Sequence, residues 1–215
     1  MGLWIAINYF PFFFAVGLVT VGWHVSWWLS LALLYLLPPL MARLLLAFCQ
    51  KPHVTNVVPS KESYLWWALT QLQVPFMRFP VLEEVLRMVP GCYSGWLRLW
   101  GGKVGKYVYW SAKVLVADRP FVDIGERVVF GYGAKVTAHL LSQKRKQPKL
   151  VFGIPVIGDR AIIGSLAIVG PGARVEDDET LRATEALAPF HVLRKNQIFQ
   201  PDGSLSPQIQ RGEPS

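Results

Sequence analysis

Across the second half of the chain, large apolar residues recur every six positions. Ile124, Phe130 and Val136 form one phased set, and Ile157, Ile163, Val169, Val175, Leu181 and Leu187 form a second. Glycine stands directly behind many of them, as Gly125, Gly131, Gly158, Gly164 and Gly170, and a looser pair precedes them at Val104-Gly105 and Trp110-Ser111. A period of six fits neither the 3.6 of a helix nor strands alternating between hairpins. It suits a solenoid of short flat strands, in which each hexad is one side of a triangular coil. The large residue then points into the prism, and the small one permits a tight corner. Three hexads close a coil, so the second set predicts about two coils and the first set with its neighbours up to two more.

The phase is interrupted between Val136 and Ile157. The inserted stretch 142–151 contains Lys144, Arg145 and Lys146. Insertions in a solenoid emerge as loops on one face, and this one reads as a solvated basic loop. Glu176 and Arg182 replace the small residue behind Val175 and Leu181, which predicts an irregular last coil acting as a cap over the open prism. From Pro201 onward the chain is polar and rich in turn formers, and little fixed structure is expected there.

The first part of the chain is a different material. Met1 to Ala42 contains no Asp, Glu, Lys or Arg. A cleavable signal would have a basic start, a shorter apolar core and a small-residue cleavage site, none of which is present. Since roughly 20 residues cross the hydrocarbon, the run is long enough for two helices, at 3–21 and 25–48, broken near Gly22-Trp23-His24. Pro11 and Pro38-Pro39 can bend or shorten them, so the hairpin is either spanning or partly re-entrant. Arg43, Lys51 and Lys61 follow, and the positive-inside tendency places the remainder in the cytoplasm.

Residues 60–100 read as amphipathic. Ser60 to Ser63 marks a helix start, Pro75 breaks the pattern, and a second segment runs over 80–89. Trp66, Trp67, Phe76, Phe79, Trp96 and Trp100 are the residues an interfacial helix presents at headgroup level, or else packing residues of a linker. The predicted organisation is mixed: a transmembrane helical hairpin at 1–50, interfacial helices and linker at 51–100, a left-handed parallel β-helix at 101–190, and a C-terminal extension with a disordered tail at 191–215.

A mean hydropathy of +0.31 with 9 Trp and 12 Phe favours contact with lipid, and a net charge of +8 suits an anionic membrane surface or a phosphate-bearing substrate. No nucleic-acid motif is present, and the aromatics cluster away from the basic residues. The two cysteines, Cys49 and Cys92, form no CxxC, and His24, His53, His139 and His191 are too dispersed for a local metal motif.

The repeats at 157–162 (IGDRAI), 163–168 (IGSLAI) and 169–174 (VGPGAR) resemble the hexapeptide-repeat acyltransferases, which fold as left-handed β-helices. The segments 96–105 (WLRLWGGKVG), 122–125 (VDIG) and 137–140 (TAHL) resemble the membrane-associated subgroup found in the C-terminal region of epsilon-poly-lysine synthetase. The resemblance implies a homotrimer with sites at subunit boundaries, and gives the basic insertion a second reading as an arm toward a neighbouring subunit's site. It also implies transfer of an acyl group from a thioester co-substrate, acyl-CoA or an acyl carrier protein, to a hydroxyl or amine, with no tightly bound cofactor or metal.

Such transfer needs a group that removes the acceptor's proton, and an imidazole suits because it ordinarily titrates near neutrality. The resemblance places that base at His139, just before the inserted loop; His191 is the rival. Glu126, Asp123 or Asp159 are candidates to orient the ring, with Thr137 bonding nearby. Gly131 and Gly153 are candidate oxyanion donors. Lys144, Arg145, Lys146, Arg194 and Lys195 can bind the phosphates of coenzyme A, or face lipid headgroups. A catalytically silent trimeric scaffold and a metal hydratase similar to γ-class carbonic anhydrases are the alternative readings.

Overall fold

The computed structural model describes residues 2–49, 55–58, 60–144 and 147–206. Two long apolar helices, α1 (Gly2–His24) and α2 (Trp27–Phe48), form an antiparallel hairpin. Both are long and apolar enough to cross a membrane, and little of either is covered by the rest of the chain. Phe12, Phe13, Val16 and Val19 are exposed along α1, and Trp23, Trp27 and Trp28 are exposed around the turn. At the opposite end Arg43 reaches the carbonyls of Arg98 and Leu99, at 2.7 and 2.9 Å. It thereby ties the hairpin to carbonyls in the last turn of the helix that ends at Trp100.

A strand, β1 (Thr55–Val57), leads to α3 (Lys61–Arg78), α4 (Val81–Arg87) and α5 (Cys92–Trp100). The expected start at Ser60 is a capping box with Ser63. Pro75 does not break α3 as the sequence predicts. An interior proline costs about 3 kcal/mol, and burial of Trp66, Leu69, Leu72 and Phe76 along one face on both sides of it offsets that cost. Trp66, Phe76, Trp96 and Trp100 are likewise buried rather than presented outward. Phe76 packs on Trp96 with ring centroids at 4.6 Å, and Trp96 on Trp100 at 5.6 Å. Tyr93 beside them packs on Trp110 with centroids at 4.9 Å. Phe79 is exposed, and so are Met77, Val81, Val85, Met88 and Val89.

The solenoid is parallel and has four coils, matching the fold class read from the period. β2 (Lys103–Val104), β3 (Tyr109–Trp110) and β4 (Leu115–Val116) make the first coil; β5 (Asp123–Ile124), β6 (Val129–Phe130) and β7 (Lys135–Val136) make the second. β10 (Val156–Ile157), β11 (Ile162–Ile163) and β12 (Ile168–Val169) form the third, and β13 (Arg174–Val175), β14 (Thr180–Leu181) and β15 (Ala186–Leu187) the fourth. The phased residues stack in register, for example Ile124 on Ile157 and Ile157 on Val175. The last coil is regular despite Glu176 and Arg182. Behind Leu181 no small residue is needed, because β14 is the last strand of its sheet.

At Gly125 the coil stacked on the corner leaves no room for a side chain. A Cβ on Gly125 would lie 2.7 Å from the Asp159 nitrogen and 2.8 Å from the Gly158 carbonyl carbon, both backbone atoms of the next coil. Gly125→Ala is expected to destabilise the solenoid by about 1–3 kcal/mol, as overpacking does, measured as a lowered denaturation midpoint.

The inserted stretch is a β-hairpin rather than a loop: β8 (His139–Lys144) pairs antiparallel with β9 (Gln147–Phe152), and β9 pairs with β1 of the same chain. Leu150 and Phe152 of β9 are buried, so the base of the hairpin packs on its own chain. After the fourth coil, β16 (Val192–Arg194) continues one sheet and turns back as β17 (Gln197–Phe199), so the solenoid extends past residue 190. Leu193 and Ile198 cover the prism end. The chain from Pro201 is held as far as Leu205 by a bridge to Phe199; 207–215 lie outside the described residues.

Candidate active site

Val116 of the first coil stacks on Val136 of the second. Both coils then leave the regular path at the same corner, the first through 117–122 and the second through the hairpin. This stacking sets Asp118 beneath the backbone of 137–139. Its carboxylate accepts from the Ala138 amide at 2.8 Å and lies 2.7 and 2.8 Å from Nδ1 of His139. The Thr137 hydroxyl lies 3.3 Å from the same carboxylate and 2.9 Å from the His139 carbonyl, in the neighbourhood expected for it. Asp118 is buried, whereas the His139 side chain keeps 23% of its surface. With Nδ1–H donating to the carboxylate, the Nε2 lone pair is left to accept a proton, the arrangement by which a second group fixes an imidazole's tautomer and aim.

The helical region supplies the other wall. Trp66 of α3 packs on the His139 ring with centroids 4.7 Å apart. The residue after Asp118, Arg119, is fully buried. Gln73 of α3 accepts from its backbone amide at 2.9 Å and from Nη1 at 3.0 Å, and Glu83 of α4 accepts from Nε at 2.7 Å and from Nη2. Glu83 also accepts from Arg87 at 2.8 Å and from the Tyr93 hydroxyl at 3.0 Å. Burial, followed by the neighbouring Glu83, pushes the Tyr93 phenol well above its ordinary value, so it remains a donor. Charges balance in this buried group, with Glu84 pairing to Arg87 at 2.6 Å. The segment carrying Asp118 is thus clamped to two helices.

Asp118, rather than Asp123, Glu126 or Asp159, meets the imidazole: the Asp123 and Asp159 carboxylates are engaged elsewhere, and Glu126 stands at the corner it shares with Asp159. Asp123 pairs with Lys103 at 3.2 Å, the Asp159 carboxylate accepts from the Glu126 amide at 2.8 Å, and the Asp159 amide donates to Asp177. Gly131 and Gly153 do not offer free oxyanion donors: their amides are bonded to the Ile163 and Ala138 carbonyls at 2.7 and 2.9 Å. Arg194 lies over the Phe199 ring and Lys195 occupies the turn of the cap hairpin, two strands beyond β10 in the same sheet and apart from the His139 corner. Arg145 and Lys146 lie outside the described residues, as does the side chain of Lys144. His191 has Nδ1 against the Pro189 carbonyl at 3.0 Å rather than against a carboxylate. No cluster of three or more metal-binding side chains occurs among the described residues.

The chain matches no protein-family model, and no curated protein resembles it significantly. Among solved structures, a galactoside acetyltransferase in complex with coenzyme A aligns with a TM-score of 0.36 and 12% identity, over 64% of this chain and 80% of that one. At that similarity the match carries no functional weight.

Proposed function

We infer that this chain is a membrane-anchored acyltransferase that moves an acyl group from a thioester donor, acyl-CoA or an acyl carrier protein, to a hydroxyl or amine of a membrane-associated acceptor. The observation that carries this reading is the His139–Asp118 pair, a part-exposed imidazole backed by a buried carboxylate at the corner where two coils open. His139 Nε2 takes the acceptor's proton as its oxygen or nitrogen attacks the thioester carbonyl. The imidazolium, stabilised by Asp118, returns that proton as the thiolate leaves.

Anchoring is supported by two long apolar helices left largely uncovered, and Arg43 at the solenoid end of the hairpin suits a cytoplasmic solenoid. The open side of His139 suits a homotrimer in which a neighbouring copy completes the site. The test is release of free thiol from acyl-CoA or acyl carrier protein by the detergent-solubilised chain, with membrane extract as acceptor. Thiol release that requires acceptor and disappears in His139→Ala supports the reading. Intact trimers with no turnover on any thioester would leave the chain a scaffold.

A further inference from the structure

A second cleft, of about 660 Å³, lies between the α4–α5 connection and the turn that joins β2 to β3, at a different corner of the first coil from Asp118. Small-molecule sites run from roughly 300 to 1,000 Å³. Among its lining residues are Arg87, Arg98 and Lys106, and no carboxylate lines it. Arg98 is held in place by bonds from Nε to the Val104 carbonyl at 2.8 Å and from Nη2 to the Gly105 carbonyl at 2.7 Å. The Arg87 side chain is 5% exposed, and its Nε has no hydrogen-bond partner among the described residues. Its charge is met by Glu83 and Glu84, which leaves Arg98 and Lys106, neither paired with a carboxylate among the described residues, as the cations the cleft offers. Beside these cations the wall is aromatic, with Tyr107 and Trp110. At the mouth, Val89 continues into an exposed apolar face formed by Val81, Val85 and Met88 of α4 and its end.

We propose that this cleft binds an anionic phospholipid, the phosphate ester between Arg98 and Lys106 and the acyl chains along the α4 face. The choice of a lipid rests on the reading that α1 and α2 lie in a bilayer; it does not depend on acyl transfer. Native mass spectrometry of the full chain in neutral detergent tests it, with phosphatidylglycerol, phosphatidylcholine and glycerol 3-phosphate as probes. The expected result is saturable binding of one phosphatidylglycerol per chain, with phosphatidylcholine roughly tenfold weaker or more. Lys106→Glu is expected to weaken phosphatidylglycerol by a similar factor. Tyr107→Asn is a second variant that should keep the fold, since the residue has φ +58° and asparagine tolerates that region; it too should weaken binding. His139→Ala should bind the lipid unchanged, which separates failure here from failure of the acyltransferase reading. Equal affinity for phosphatidylcholine, indifference to Lys106→Glu, or glycerol 3-phosphate competing at equal affinity would each overturn the proposal.

Discussion

His139→Ala is expected to lower kcat by about 10²–10⁴, the range contributed by a positioned general base, with secondary structure and oligomeric state unchanged. Asp118→Asn should lose much of the same factor for a geometric reason. In the wild type the carboxylate serves two donors, the Ala138 amide and His139 Nδ1. An asparagine has one oxygen; if it keeps the Ala138 bond, its NH₂ faces Nδ1. That favours the tautomer with the proton on Nε2, which has no lone pair to receive the acceptor's proton. Groups that act as a unit give non-additive losses. The double variant should therefore be no slower than His139→Ala alone. Turnover measured as thiol release at saturating acceptor decides the matter, and full additivity, or an unimpaired Asp118→Asn, would remove Asp118 from the mechanism.

The solenoid was legible because its signal is local: each inward residue lies six positions from the next, and the glycine behind it reports the coil stacked above. The orienting carboxylate was not, because the first coil is lengthened by the segment 117–122 and its phase is lost. Counting one hexad past Trp110 reaches Val116, which stacks on Val136, and Asp118 then falls beside Ala138. The aromatic residues of 60–100 misled in the opposite way. Their content signals an apolar surface but not which surface, and here Trp96 and Trp100 are buried while α4 presents Val81 and Val85 outward. The contact between Trp66 and His139 joins residues far apart in sequence, and no periodicity records it. Nor does spacing reveal that the basic insertion pairs with β1 of its own chain.

Replacing Glu83 by Ala is expected to destabilise the folded chain by about 3–5 kcal/mol, the cost of leaving a buried charge without its partner. Two cations depend on this carboxylate: Arg119, wholly buried, and Arg87, with 5% of its side chain exposed. Glu84 remains for Arg87, but among the described residues no second carboxylate pairs with Arg119. Arg119→Met combined with Glu83→Gln removes both buried charges and should recover part of the loss, which denaturation midpoints in mild detergent would show. A shift below about 1 kcal/mol in Glu83→Ala, within the range of an exposed pair, would mean that the network is solvated and the clamp is not real. The consequence reaches the site because Arg119 is the neighbour of Asp118. A variant that loosens Arg119 without unfolding the chain should also lower turnover, and more steeply than it lowers thermal stability. Trp66 and Gln73 on α3 and Glu83 on α4 meet His139 and Arg119 directly. α3 and α4 are therefore part of the wall around His139, and a solenoid cut free at residue 101 is expected to be inactive even where it remains folded.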